Sequence, residues 1–180
     1  PAIRATIEGN RAFRVATQAA IQPSRRPRLL RILRALYLAE IVRSKPRHYA
    51  DKSHPVIWFA DEVARWFPNA RFIGVERSPY GTVASMLRHG GVRARQENWT
   101  SYELPNPFLG IDRDNLEEYG SFSPAERAAL RWRSHHQQMR SMKEALGDRM
   151  LVLQYEEMVD AYEREYARLW RFVGLDQPFV

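Results

Sequence analysis

The chain has no cysteine in 180 residues, which excludes disulfides, thiolate metal ligands and a cysteine nucleophile and favours a reducing, cytoplasmic compartment. None of its nine glycines stands in a Gly-x-x-x-x-Gly-Lys-Ser/Thr loop, so no standard phosphate-cradling turn is legible. Its five histidines include no His-Glu-x-x-His, and the adjacent His135 and His136 would diverge by about 100° on a helix; no metal is expected. No apolar run is long enough to span a membrane, and no internal repeat or low-complexity tract is present. Lysine is scarce, with three among 28 basic residues. Acid is scarce at one end: the first fifty residues hold eleven Arg or Lys against Glu8 and Glu40, a charge of +9, while the other 130 carry −2.

What is present suits one domain over residues 1–180, since 44% hydrophobic content at this length allows a sizeable core. Within residues 1–45, Arg25, Arg26, Arg28, Arg31 and Arg34 interleave with Leu29, Leu30, Ile32, Leu33, Leu36 and Ile41, the pattern of a basic amphipathic helix. Such a helix presents a solvated face while its apolar side packs on the domain, or it meets a membrane surface or an anionic polymer. Pro55 to Phe67 reads as a helix that buries Ile57, Phe59, Val63 and Trp66. Residues 90–122 are rich in Gly, Pro, Asn and charge; a connection of that length predicts an acceptor loop or lid. Ser123-Pro124-Ala125-Glu126 is a capping box that opens a helix running to Leu146.

Arg71 to His89 carries the strongest local signal. Phe72, Ile73 and Val75 make a short strand, and Ser78-Pro79 supplies an N-cap with proline at the first helical position. Arg77 therefore arrives at a helix mouth, with Val83, Met86, Leu87 and Gly90 on one helical face and Thr82, Ser85 and His89 on another. An arginine fork, free backbone N–H groups and a serine hydroxyl suit a phosphate-type oxyanion, because each supplies donors and the first adds charge. The plainer alternative is a surface arginine paired with a carboxylate.

This segment resembles the 3′-phosphate-binding motif of sulfotransferases that use 3′-phosphoadenosine 5′-phosphosulfate (PAPS), with Arg77 and, eight residues on, Ser85 in the phosphate-holding positions. Arg77-Ser78-Pro79 stands where that family often has Arg-Asp-Pro. Ala50-Asp-Lys-Ser-His-Pro55 is similar to the Lys-Thr-His-Leu-Pro of cytosolic sulfotransferases and the Asn-Lys-Asp-Pro of tyrosylprotein sulfotransferases. The resemblance implies that Lys52 approaches the transferring sulfuryl group and that His54 takes the acceptor's proton; the Leu between His and Pro is missing, and the tyrosylprotein enzymes use a glutamate instead. Tyr155-Glu156, after the apolar run Met150 to Gln154, resembles the family's Tyr-Glu-Asp-Leu, which implies that Tyr155 contacts the adenosine. Phe172-Val173-Gly174 then echoes the family's Phe-Leu-Gly.

The fold that follows is a P-loop-type three-layer α/β/α domain, its parallel sheet including strands near His48–Asp51, Arg71–Val75 and Met150–Gln154. No glycine loop matches the 5′-phosphosulfate cradle, so the first βα unit is expected to be missing and the chain inactive as it stands. The implied reaction is sulfuryl transfer from PAPS, a co-substrate, to a hydroxyl or amine of a small-molecule, carbohydrate or peptide acceptor. Neither a metal nor a specific nucleic acid is implied, and an unpaired sheet edge would favour self-association. Two alternatives belong to other classes: a nucleotide kinase-like P-loop protein, which needs a Walker lysine and a magnesium-binding acid, and a non-catalytic basic module that binds an anionic polymer.

Overall fold

The computed structural model describes residues 3–6 and 11–175, with the side chains of 3–6 left out. Strand β1 (Ile3–Thr6) leads to helix α1 (Arg11–Ile21), then α2 (Arg26–Ser44) and β2 (His48–Asp51). β1 pairs with β2 in parallel, Ile3 opposite His48 and Thr6 opposite Asp51. A parallel strand and a small-residue helix thus precede α2 in the described chain.

α1 is a helix of small residues, and Ala12, Ala16, Ala19 and Ala20 are all buried. Without bulk at those positions α2 packs close, setting Leu30, Leu33 and Tyr37 into the core on one face while Arg28, Arg31 and Arg34 stay exposed. Arg26 is drawn in, and its Nε donates to the Ala19 carbonyl at 2.9 Å. The basic segment is thus part of a helical pair whose apolar side packs into the domain.

The expected helix over Pro55–Phe67 is broken. A 3-10 turn covers His54–Trp58 and α3 covers Ala60–Trp66, with Phe59 between them at φ −155° and only 2% exposed. Burying Phe59 as an anchor requires the non-helical joint, and Gln138 holds the turn by donating to the Ile57 carbonyl at 3.0 Å.

β3 (Phe72–Glu76) precedes α4 (Pro79–Arg88), and α5 (Gly90–Glu97) follows directly. Helix α4 ends before His89, whose Nδ1 accepts from Val92 N and caps α5; His89 and Gly90 therefore belong to α5's start and not to α4's faces. α6 (Pro124–Leu146) carries the expected capping box, Ser123 and Glu126 bonding each other's backbone. β4 (Met150–Gln154), α7 (Tyr155–Asp160) and α8 (Tyr162–Val173) complete the described chain. β3 and β4 are parallel, from Phe72 opposite Met150 to Glu76 opposite Gln154. The architecture is mixed α/β, mostly helical. Instead of one sheet, the described strands form two separate parallel pairs.

Within residues 90–122, the stretch 106–119 contributes to the core. Phe108, Leu109, Ile111 and Tyr119 are at most 1% exposed and sit in the main core. Irregular backbone can be buried only if its polar groups are satisfied, and here asparagines do that. Asn106 Nδ2 donates to the Ile21 and Glu103 carbonyls, and Asn115 Nδ2 to the Gly110 carbonyl. Gly110, at φ +84°, passes so close to α6 that a Cβ would stand 2.4 Å from Arg131 N; only glycine fits.

Candidate active site

Two parallel strands that end side by side deliver Arg77 and Tyr155 to one cleft. The Arg77 guanidinium lies over the Tyr155 ring, 4.6 Å from its centre, a cation–π contact that spreads the fork flat. It can lie there because Gly81 opposes it on α4, where a Cβ would come within 3.0 Å of Arg77 Nε. The cleft, about 200 Å³, is lined by Arg77, Ser78, Gly81, Tyr155, Glu156, Val159 and Asp160. Ser78 caps α4, its hydroxyl accepting from Gly81 N at 3.3 Å. Glu156 accepts from Ser78 N at 3.0 Å; that bond is the main cause of its lowered pKa, with Arg77 a smaller one. The strand edge is locked from behind by Trp132, which donates to the Arg77 carbonyl at 3.2 Å.

Ser85 is exposed on α4 and does not line this cleft. It stands one turn beyond Gly81 on the same helical face, so only a ligand extending along the helix would meet both Arg77 and Ser85.

Lys52 and His54 leave the end of β2. Asp51 fixes that exit, taking hydrogen bonds from Tyr37 Oη at 2.6 Å and Ser53 Oγ at 2.7 Å. Loss of solvent raises the Asp51 pKa more than these bonds lower it. The tie explains the direction of the Lys52 backbone; the Lys52 side chain itself is exposed. His54 is exposed, and its ring packs on Phe13 and stacks on Phe108, with centroids 5.7 and 6.1 Å away. Its pKa is lowered to about 4, chiefly by loss of solvent on the packed side, with Arg131, Arg95 and His89 as smaller causes. His54 is therefore neutral at pH 7, the form that can accept a proton.

Sequence reasoning did not find what surrounds His54. Phe108 also receives His135, at 5.3 Å, and Arg131, at 4.5 Å. His135 Nε2 bonds the Phe108 carbonyl at 3.0 Å, and burial takes its pKa to about 3. The neighbouring His136 diverges as helix geometry requires: it stacks on Trp132 and pairs with Glu76. No local signal in α6 marks Arg131, because the ring it faces, Phe108, comes from a distant segment.

The arrangement offers a flat cationic platform at the strand edge, apt for a phosphate and an aromatic base, and a neutral imidazole elsewhere. Residues 2–178, nearly the whole chain, match the sulfotransferase family, and the chain belongs to that family. Sulfuryl transfer is thus its general chemistry. No curated protein and no solved structure matches the chain. Among the described residues no helix is long and apolar enough to cross a membrane.

Proposed function

We propose that the protein transfers a sulfuryl group from PAPS to a hydroxyl, or less favourably an amine, with the 3′-phosphate half of the donor in the Arg77–Tyr155 cleft. The observation that carries this reading is Arg77 laid over Tyr155 at the mouth of a serine-capped helix. The fork and cap bind the phosphate, and the open ring edge meets the adenine. Lys52 would neutralise charge on the leaving phosphate oxygen and His54 would take the acceptor's proton, as the family resemblance implies. His54's neutral form supports its part.

Calorimetry with 3′-phosphoadenosine 5′-phosphate is the test. Arg77→Ala should weaken binding about tenfold or more, the loss of a charge-assisted contact of roughly 1.5 to 3 kcal/mol, while unchanged affinity overturns the assignment. Lys52→Ala should lower turnover much more than donor affinity. Affinity for ATP with magnesium above that for the sulfated nucleotide would favour the kinase-like alternative.

A further inference from the structure

Arg131 is a buried cation without a counter-ion among the described residues. It is 4% exposed, its Nε and Nη1 have no hydrogen-bond partner, and among the described residues no carboxylate pairs with it. Gln96, 3% exposed on the adjoining α5, likewise leaves Nε2 without a partner. Isolated buried charges are costly, and native structures normally pair them. Here the charge that acts most on Arg131 is of its own sign, from Arg95, and only the Tyr119 hydroxyl opposes it. Arg131 and Arg95 in turn repel a proton on His54. Four groups that are cationic or can become so, Arg131, Arg95, His54 and His135, thus share one neighbourhood about Phe108. The Gly110 passage holds the Arg131 backbone in place.

We propose that the acceptor carries an anionic group of its own, a carboxylate, sulfate or phosphate, which Arg131 holds beside His54. The inference rests on the sulfotransferase reading, which makes the His54 side the acceptor side. The site is separate from the donor cleft: Trp132 faces the Arg77 carbonyl, and its neighbour Arg131 points about 100° around α6 onto Phe108. An anion here would satisfy the unpartnered donors. It would also offset the repulsion on His54, so that the base strengthens when the acceptor arrives.

The same oxyanion chemistry could come from the donor's sulfuryl end, and inorganic sulfate as probe separates the two. In thermal unfolding at fixed ionic strength, exchanging chloride for sulfate should raise the midpoint of the wild type, with 3′-phosphoadenosine 5′-phosphate saturating as well as without it. Arg131→Met should weaken sulfate binding about tenfold, yet unfold in chloride no earlier than the wild type, because it removes an unpaired buried charge. Should that variant fail to fold, Arg95→Gln should reduce the sulfate shift. Histidine NMR on the wild type, with His54 assigned by His54→Gln, should show sulfate raising the His54 pKa.

A wild type indifferent to sulfate, a shift kept intact in folded Arg131→Met or, failing that, Arg95→Gln, or one abolished by the nucleotide overturns the proposal, the last assigning the anion to the donor. Failure of the nucleotide to bind in calorimetry, with the Arg131-dependent sulfate shift retained, would sink the sulfotransferase reading and leave the anion site standing.

Discussion

Arg77 and Arg131 make the same contact in opposite settings. Each lies over an aromatic ring, Arg77 on Tyr155 at 4.6 Å and Arg131 on Phe108 at 4.5 Å. Arg77 is exposed, so water already solvates its fork and a ligand gains only the difference between phosphate and water. Arg131 is buried, and among the described residues its Nε and Nη1 have no hydrogen-bond partner. An arginine at a strand edge is cheap to keep and moderately useful; one in a core is costly to keep and strongly selective for whatever satisfies it.

The sharpest way to break the comparison is to disturb the frame that buries Arg131. Gly110→Ala sets a methyl group against the Leu130 and Arg131 backbone, which cannot step aside, and does so at a φ that alanine resists. The strain and overpacking together should cost about 3 kcal/mol or more, read as a lowered urea midpoint. A midpoint within error of the wild type would mean that α6 is held less firmly than the geometry implies. Arg77→Ala should leave that midpoint nearly unchanged and lose only nucleotide affinity.

Acid gives a second, smaller handle on the buried side. His135 has a folded pKa of about 3 against about 6.5 unfolded. Between those values the unfolded chain binds more protons, so stability is fully present above pH 6.5 and is lost as pH falls toward 3. From pH 7 to pH 5 the loss from His135 is about 2 kcal/mol, and His54 adds loss of the same sign. His135→Gln can keep a donor to the Phe108 carbonyl without titrating. It should therefore flatten the acid slope of the unfolding midpoint; an unaltered slope would place the acid sensitivity elsewhere.

The two regions also differ in how far the sequence reveals them. Around Arg77 the determinants are local: an apolar run makes β3, Ser78-Pro79 starts α4, and the Met150–Gln154 run makes β4. The capping box of α6 is equally plain. Around Arg131 they are long-range. The buried run Phe108–Ile111 reads as a loop because its carbonyls are met by side chains from elsewhere, Phe108 by His135, Leu109 by Tyr119 and Gly110 by Asn115. α1 falls within the helical segment expected over residues 1–45, but that its small residues form a seat for α2 shows only once the two helices pack. Arg131 looked like one more charge on a charged helix, since nothing local distinguishes an arginine facing Phe108 from one facing water.

Ser85 gives the finest test, because resemblance and structure weight it differently. The resemblance sets it beside Arg77 on the 3′-phosphate, while the cleft is lined through Gly81 and ends a turn short of it. A hydroxyl reached only by the far edge of a ligand contributes at most about 1 kcal/mol, so Ser85→Ala should weaken 3′-phosphoadenosine 5′-phosphate binding about fivefold or less in calorimetry, against tenfold or more for Arg77→Ala. Its exposure also means that removing it should leave stability within about 0.5 kcal/mol. If Ser85→Ala instead costs as much affinity as Arg77→Ala, the phosphate lies along the α4 face and not over Tyr155. In that case Tyr155→Phe and Tyr155→Ala should be nearly silent, and the exposed platform that sets Arg77 apart from Arg131 would lose its role as the nucleotide's seat.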